Sequence, residues 1–165
     1  MSFRTRLALA QSFETWPSMK SAAEQRYWDG LALALVGAGS ETGALYLMGY
    51  AAEMLLKCAY FQIIGVPVTQ DIAPHLQGAR THAFWRGGNL HNLKSWFWLL
   101  SDVRFLRGVP WSAASAATIE RHVLTVDAHW REALRYTAFA ATEAELNEAF
   151  VGVDWLLTNY DTLWR

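Results

Sequence analysis

Three side chains stand out for the chemistry they can do. His91 carries an imidazole that can take or give a proton near neutral pH. Arg86 precedes it in Arg86-Gly87-Gly88-Asn89-Leu90-His91, with four residues between. Its planar guanidinium matches the oxygens of a phosphate group. Glu53 lies in Ala44-Leu45-Tyr46-Leu47-Met48-Gly49-Tyr50-Ala51-Ala52-Glu53-Met54-Leu55-Leu56-Lys57, where nearly every neighbour is apolar. A carboxylate in such surroundings is costly unless something meets its charge. Two readings compete for it. Glu53 orients His91 or holds an arginine, or it forms the favoured i, i+4 ion pair with Lys57 and serves structure alone. His91 is expected in the first turn of a helix, where the dipole disfavours imidazolium and leaves a neutral ring able to accept a proton. Capping that helix is its plainer role. Arg135 and Tyr136 are expected to line the same pocket, and Arg135 is a further candidate to neutralise Glu53. Tyr46 and Tyr50 read as packing.

These residues need helices to bring them together, and the sequence supplies the pattern. At about 100° per residue, Leu45, Met48, Ala52, Leu56, Ala59 and Ile63 share one helical face. Tyr46, Tyr50, Glu53 and Lys57 fill a narrow polar wedge. Such a helix belongs at the centre of a bundle. An earlier helix is expected from near Ser18 to Val36, capped by Ser18 or Ser21 and ended by Gly37-Ala38-Gly39. Ser40 and Glu41 open the central helix, which runs to Gly65. Residues 66–89 are the least regular part, and a loop that long inside a domain is usually functional or mobile. Asn89 is the expected cap of a third helix, striped by Leu93, Trp96, Phe97, Leu100 and Val103. Ser112 or Ser115 starts a fourth. Thr142, with Glu143 and Glu145 behind it, starts the last. With no strand alternation and no repeat, the expected fold is an all-α, up-and-down bundle of four to five helices. Residues 1–17 form a lead-in and 18–165 one domain.

The chain has 165 residues, 53% of them hydrophobic and 18% charged, which fits one globular domain. Its net charge of −1 gives no global attraction for nucleic acid, so any such site must be local. Nine tryptophans suggest a large apolar interface as well as a core. Cys58 is the only cysteine, so no internal disulfide forms. Leu7-Ala8-Leu9-Ala10 is too short for an export signal, and no run reaches a membrane span. A cytoplasmic protein is expected. His122 and His129 share a helix face without a third ligand, and no phosphate-binding or dinucleotide glycine motif occurs. No metal and no cofactor are expected.

Three signals occur in order. They are Gly49-Tyr50-Ala51-Ala52-Glu53 with Leu56-Lys57, then His91-Asn92-Leu93 opening a helix, then Trp130 followed by Arg135-Tyr136 and an amphipathic C-terminal helix. Together they resemble the HEPN superfamily of helical domains, found beside minimal nucleotidyltransferases and in toxin–antitoxin and defence systems. The resemblance spans roughly residues 22–160. It implies a helical bundle that pairs side by side as a homodimer, and in many members a metal-independent ribonuclease with Arg and His at the spacing of Arg86 and His91. The residue after the arginine is commonly polar in active members, and here it is Gly87. Cleaving RNA without metal needs a proton acceptor for the 2′-hydroxyl and a cation for the charge building on phosphate. His91 and Arg86 suit those roles, with Glu53, Lys57, Tyr50, Arg135 and Tyr136 in support. The alternative is a non-catalytic dimeric module that binds a nucleotide or a partner such as a nucleotidyltransferase or an antitoxin. Gly87 and the near-neutral charge favour that alternative.

Overall fold

The computed structural model describes Thr5, residues 14–137 and residues 140–165. The expected lead-in therefore lies mostly outside the described residues, as does Leu7-Ala8-Leu9-Ala10. Among the described residues there are seven α-helices, one 3₁₀ helix and no strand. They are α1 (Trp16–Ala34), α2 (Glu41–Ile63), α3 (Ala73–Arg80), α4 (Leu93–Leu106), α5 (Ala113–His129), the 3₁₀ helix Glu132–Tyr136, α6 (Glu143–Thr158) and α7 (Tyr160–Trp164). The all-helical expectation holds.

The central helix is α2, which packs on α1, α4, α5, α6, α7 and the 3₁₀ helix. Its all-round apolar sequence explains this. Leu45, Met48, Ala51, Ala52, Leu55, Leu56, Cys58 and Ala59 are all buried, and each large one contributes about 2 kcal/mol by leaving water. The chain ends α2 at Gly65, whose φ of +79° lies in the left-handed region that suits glycine.

Two antiparallel hairpins flank the core. In α1–α2, the Trp16 carbonyl accepts from Cys58 Sγ at 3.3 Å, and the Trp16 indole donates to the Val66 carbonyl at 2.9 Å. Farther along, Gly30 lies against Met48 and the Ala44 carbonyl. In α5–α6, His129 Nε2 meets Glu148 at 2.8 Å, and the His122 ring stacks on Trp155 at 4.5 Å and 4°. The approach there is close because residue 152 is glycine. A Cβ on Gly152 would lie 2.7 Å from Val126 and 2.9 Å from the His122 carbonyl.

Several element boundaries differ from expectation, each for a local reason. Helix α1 begins at Trp16, because Thr15 and Ser18 form a capping box and Pro17 fits the first turn. Residues 66–89 are not all loop: Pro74 opens α3 within them. The cap of α4 is Asn92, which accepts from the Ser95 amide at 2.8 Å, rather than Asn89. Asn89 instead accepts from the His91 amide at 3.0 Å. Ser40 makes no side-chain cap to α2, since its hydroxyl donates to the Leu33 and Gly37 carbonyls. Ser112 caps α5, and Thr142 with Glu145 forms a capping box on α6. The last helical stretch is divided at Asn159 into α6 and α7.

Candidate functional site

The site begins with a close approach. Trp130, the C-cap of α5, lies flat against α2 and is 1% exposed. A Cβ on Gly49 would fall 1.9 Å from Trp130 Cδ1, so only glycine permits this contact. The Trp130 indole donates to the Tyr46 carbonyl at 3.2 Å. Tyr50 meets Trp130 edge-on at 5.5 Å, Tyr46 at 4.9 Å and the His91 ring at 6.1 Å. Edge-to-face contacts of this kind hold rings in fixed orientation. The Gly-Tyr-Ala-x-Glu segment, the helix-opening histidine and the tryptophan thus converge in space.

Behind the rings, Glu53 is only 2% exposed. One of its oxygens pairs with Lys57 Nζ. The other accepts from His91 Nδ1 at 3.0 Å. His91 Nε2 faces Glu132 on the 3₁₀ helix at 3.5 Å, and Glu132 pairs with Arg135 at 2.8 Å. Lys57 also sits 5.5 Å above the Trp96 ring. Charge alternates along the row Lys57, Glu53, His91, Glu132, Arg135. The row runs from the core to solvent, with the His91 side chain 32% exposed.

Both readings of Glu53 are realised together: it pairs with Lys57 and it orients His91. Arg135 does not neutralise Glu53, because Glu132 intervenes and takes that pairing. Glu132 is the member that sequence reasoning missed. Its signal was its place between Trp130 and Arg135, both already marked. Tyr136 is exposed, with the Arg135 guanidinium 4.6 Å from its ring.

The expected direction of the His91 shift, toward the neutral ring, is reversed. Its pKa is raised, first by the hydrogen bond to Glu53, with the charges of Glu53 and Glu132 adding to it against partial burial and Lys57. The physical reason is position. His91 precedes the Asn92 cap rather than standing in the first helical turn, and two carboxylates lie closer than the helix end. A carboxylate only accepts, so Nδ1 carries a proton toward Glu53 and Nε2 points outward. Tyr50 is also shifted up, by burial first and then by Tyr46 and the nearby carboxylates, so it stays a neutral phenol.

Arg86 is engaged elsewhere. It pairs with Asp102 of α4 at 2.9 Å and lies 5.5 Å from the Trp98 ring centre. The structure does not bring it into the His91 row. Gly87 has a packing role, since a Cβ there would lie 2.3 Å from Ser95 Oγ at the start of α4. His122 and His129 have separate partners, and no group of three or more potential metal ligands exists among the described residues. No family model, no characterised protein and no solved structure matches this chain.

Proposed function

We propose that the chain is a HEPN-like domain that acts on RNA, with His91 as the proton-handling residue. The observation that carries this is the Glu53–His91 dyad: a buried carboxylate fixes Nδ1 and leaves Nε2 facing Glu132 on a partly exposed ring. A ring oriented by a third group is the general arrangement of acid–base catalysis. The resemblance supplies the substrate class. The raised pKa favours the protonated ring, which suits His91 to the role of acid. As the 2′ oxygen closes on phosphorus, Nε2 donates its proton to the departing 5′ oxygen. The 2′-hydroxyl proton passes to Glu132 or water, leaving a 2′,3′-cyclic phosphate and a 5′-hydroxyl.

The test is incubation of purified protein with single-stranded RNA in EDTA. Cleavage is expected, and His91→Ala should lower it by at least about tenfold, the lower range for loss of an acid–base group. Cleavage that His91→Ala leaves unchanged refutes the reading.

A second reading has its own observation. Arg86 is held by Asp102, away from His91, so the arginine–histidine pair is not assembled within one chain. That favours a non-catalytic module, working as a homodimer through exposed apolar residues such as Trp28, Leu35 and Val36. In that case RNA or a mononucleotide binds without being cut, and His91→Ala weakens binding.

A further inference from the structure

Helix α4 carries a second unusual charge at its other end. Arg104 is 3% exposed, yet among the described residues its guanidinium meets no carboxylate. One nitrogen, Nη1, donates to the Leu163 carbonyl at 3.3 Å, and among the described residues Nε–H has no partner. Burial alone pulls its pKa down. A buried cation without a counter-ion is costly, and a complementary anion would remove that cost.

The surroundings fit an anion. Arg104 lines a cleft of about 380 Å³ together with Trp111, Ser112, Ser115, Asp161 and Arg165. Ser112 caps the seventeen-residue helix α5, whose N-terminus therefore opens on the cleft. The cap satisfies the Ser115 amide at 3.1 Å, and the Ala116 amide bonds the Ser112 carbonyl at 2.9 Å. The amides of Ala113 and Ala114 are left as orphan donors at the positive end of the dipole. The frame is rigid: Trp111 stacks on Phe97 at 5.8 Å and 7°, lies 5.1 Å from the Arg104 guanidinium, and donates to the Thr162 carbonyl at 2.8 Å. Arg165, paired with Asp161 at 3.0 Å, is a second cation at the rim.

We propose that this cleft binds a small phosphate-bearing ligand. The Arg104 guanidinium, the Arg165 cation and the Ser112 cap at the positive end of α5 share this one lining, which suits a phosphate oxyanion. The volume lies at the low end of the ~300–1,000 Å³ of small-molecule sites, so the occupant is mononucleotide-sized or smaller. The eleven-residue offset along α4 from Leu93 to Arg104 places the cleft roughly 17 Å from the His91 end at 1.5 Å per residue. It is independent of the reading given to His91.

The experiment is an NMR titration of the wild-type protein with inorganic phosphate and with adenosine 5′-monophosphate, at constant ionic strength, with chloride as control. The expected result is a saturable shift of the Arg104 Nε–H and of the Ala113 and Ala114 amides. Arg165→Gln should weaken it several-fold, and Arg104→Met should abolish it. If Arg104→Met fails to fold, the wild-type shifts and Arg165→Gln still decide. A linear, chloride-like response overturns the proposal, as does a saturable one that spares those signals. Preferential binding of end-blocked single-stranded RNA at those same signals also overturns it, since the cleft would then serve a polymer, whereas RNA binding that shifts only the His91 end leaves it standing.

Discussion

The buried Glu53 carboxylate is met by two cationic partners from different elements, Lys57 on its own helix and His91 from the start of α4. The arrangement links folding to pH through His91. Its folded pKa is raised above the ordinary value of 6.5. Its stabilising contribution is therefore complete below about pH 6.5 and disappears as pH rises through the higher folded value. Replacing Glu53 with glutamine keeps an acceptor for Nδ1 but removes the charge. The His91 pKa should then fall, read from its ring proton resonances across a pH titration. The stability difference between wild type and His91→Gln, measured by urea unfolding, should shrink with rising pH, and in the Glu53→Gln background it should lose most of that dependence. Glu53 itself was legible from sequence as a carboxylate among apolar residues. Its two partners were both named as alternatives, and the structure accepts both. Glu132 was not legible, because it acts through a 3₁₀ turn whose position depends on how Trp130 seats against α2. The direction of the His91 shift failed for a related reason. It was argued from helix position, and the carboxylates come from elsewhere in the chain.

At the scale of elements, two features fix where the site residues stand. The first is the contact between Gly49 and Trp130. Gly49→Ala places a methyl inside the indole, so either Trp130 or α2 must move. The expected cost is about 2–3 kcal/mol, in the range of overpacked cores, measured as a lower urea midpoint. Because Trp130 leads into the Glu132 turn, the same variant should also lower the His91 pKa. The second is the capping box of α6. Thr142 and Glu145 each satisfy the other's backbone amide. Thr142→Ala should cost about 1 kcal/mol by thermal unfolding and leave His91 unchanged, since α6 contributes nothing to the row. Cap chemistry of this kind was plain in the sequence at Thr142 and Ser112. It misled at Asn89, where two asparagines three apart compete and only Asn92 has Ser95 at the right reach. Helix α3 went unseen because its eight residues contain Pro74 and Gly78, both of which read as loop.

For the whole molecule, the row of charges joins the most buried element to one of the least buried. Helix α2 is enclosed by five other helices and the 3₁₀ turn. The connection from Val66 to Asn92 buries only Val66, Ile72 and Ala79. Stability within a protein is not uniform, and segments with few buried contacts open without global unfolding. The amides of α2 should therefore exchange with solvent only through global unfolding, while those of 81–92 exchange through a smaller opening. His91 belongs to the second class and its anchor Glu53 to the first. Loss of the His91–Glu53 contact should consequently release the connection and spare the core. In hydrogen exchange, His91→Ala should speed exchange in 81–92 and in the first turn of α4, with the amides of α2 slowed or sped only by the change in global stability. Raising the pH through the His91 titration should, once the intrinsic pH dependence of exchange is removed, produce the same regional pattern in the wild type. If 81–92 and α2 instead show the same opening free energy in the wild type, the connection is part of the same cooperative unit as the core. The site would then be held by the whole bundle rather than by the one contact.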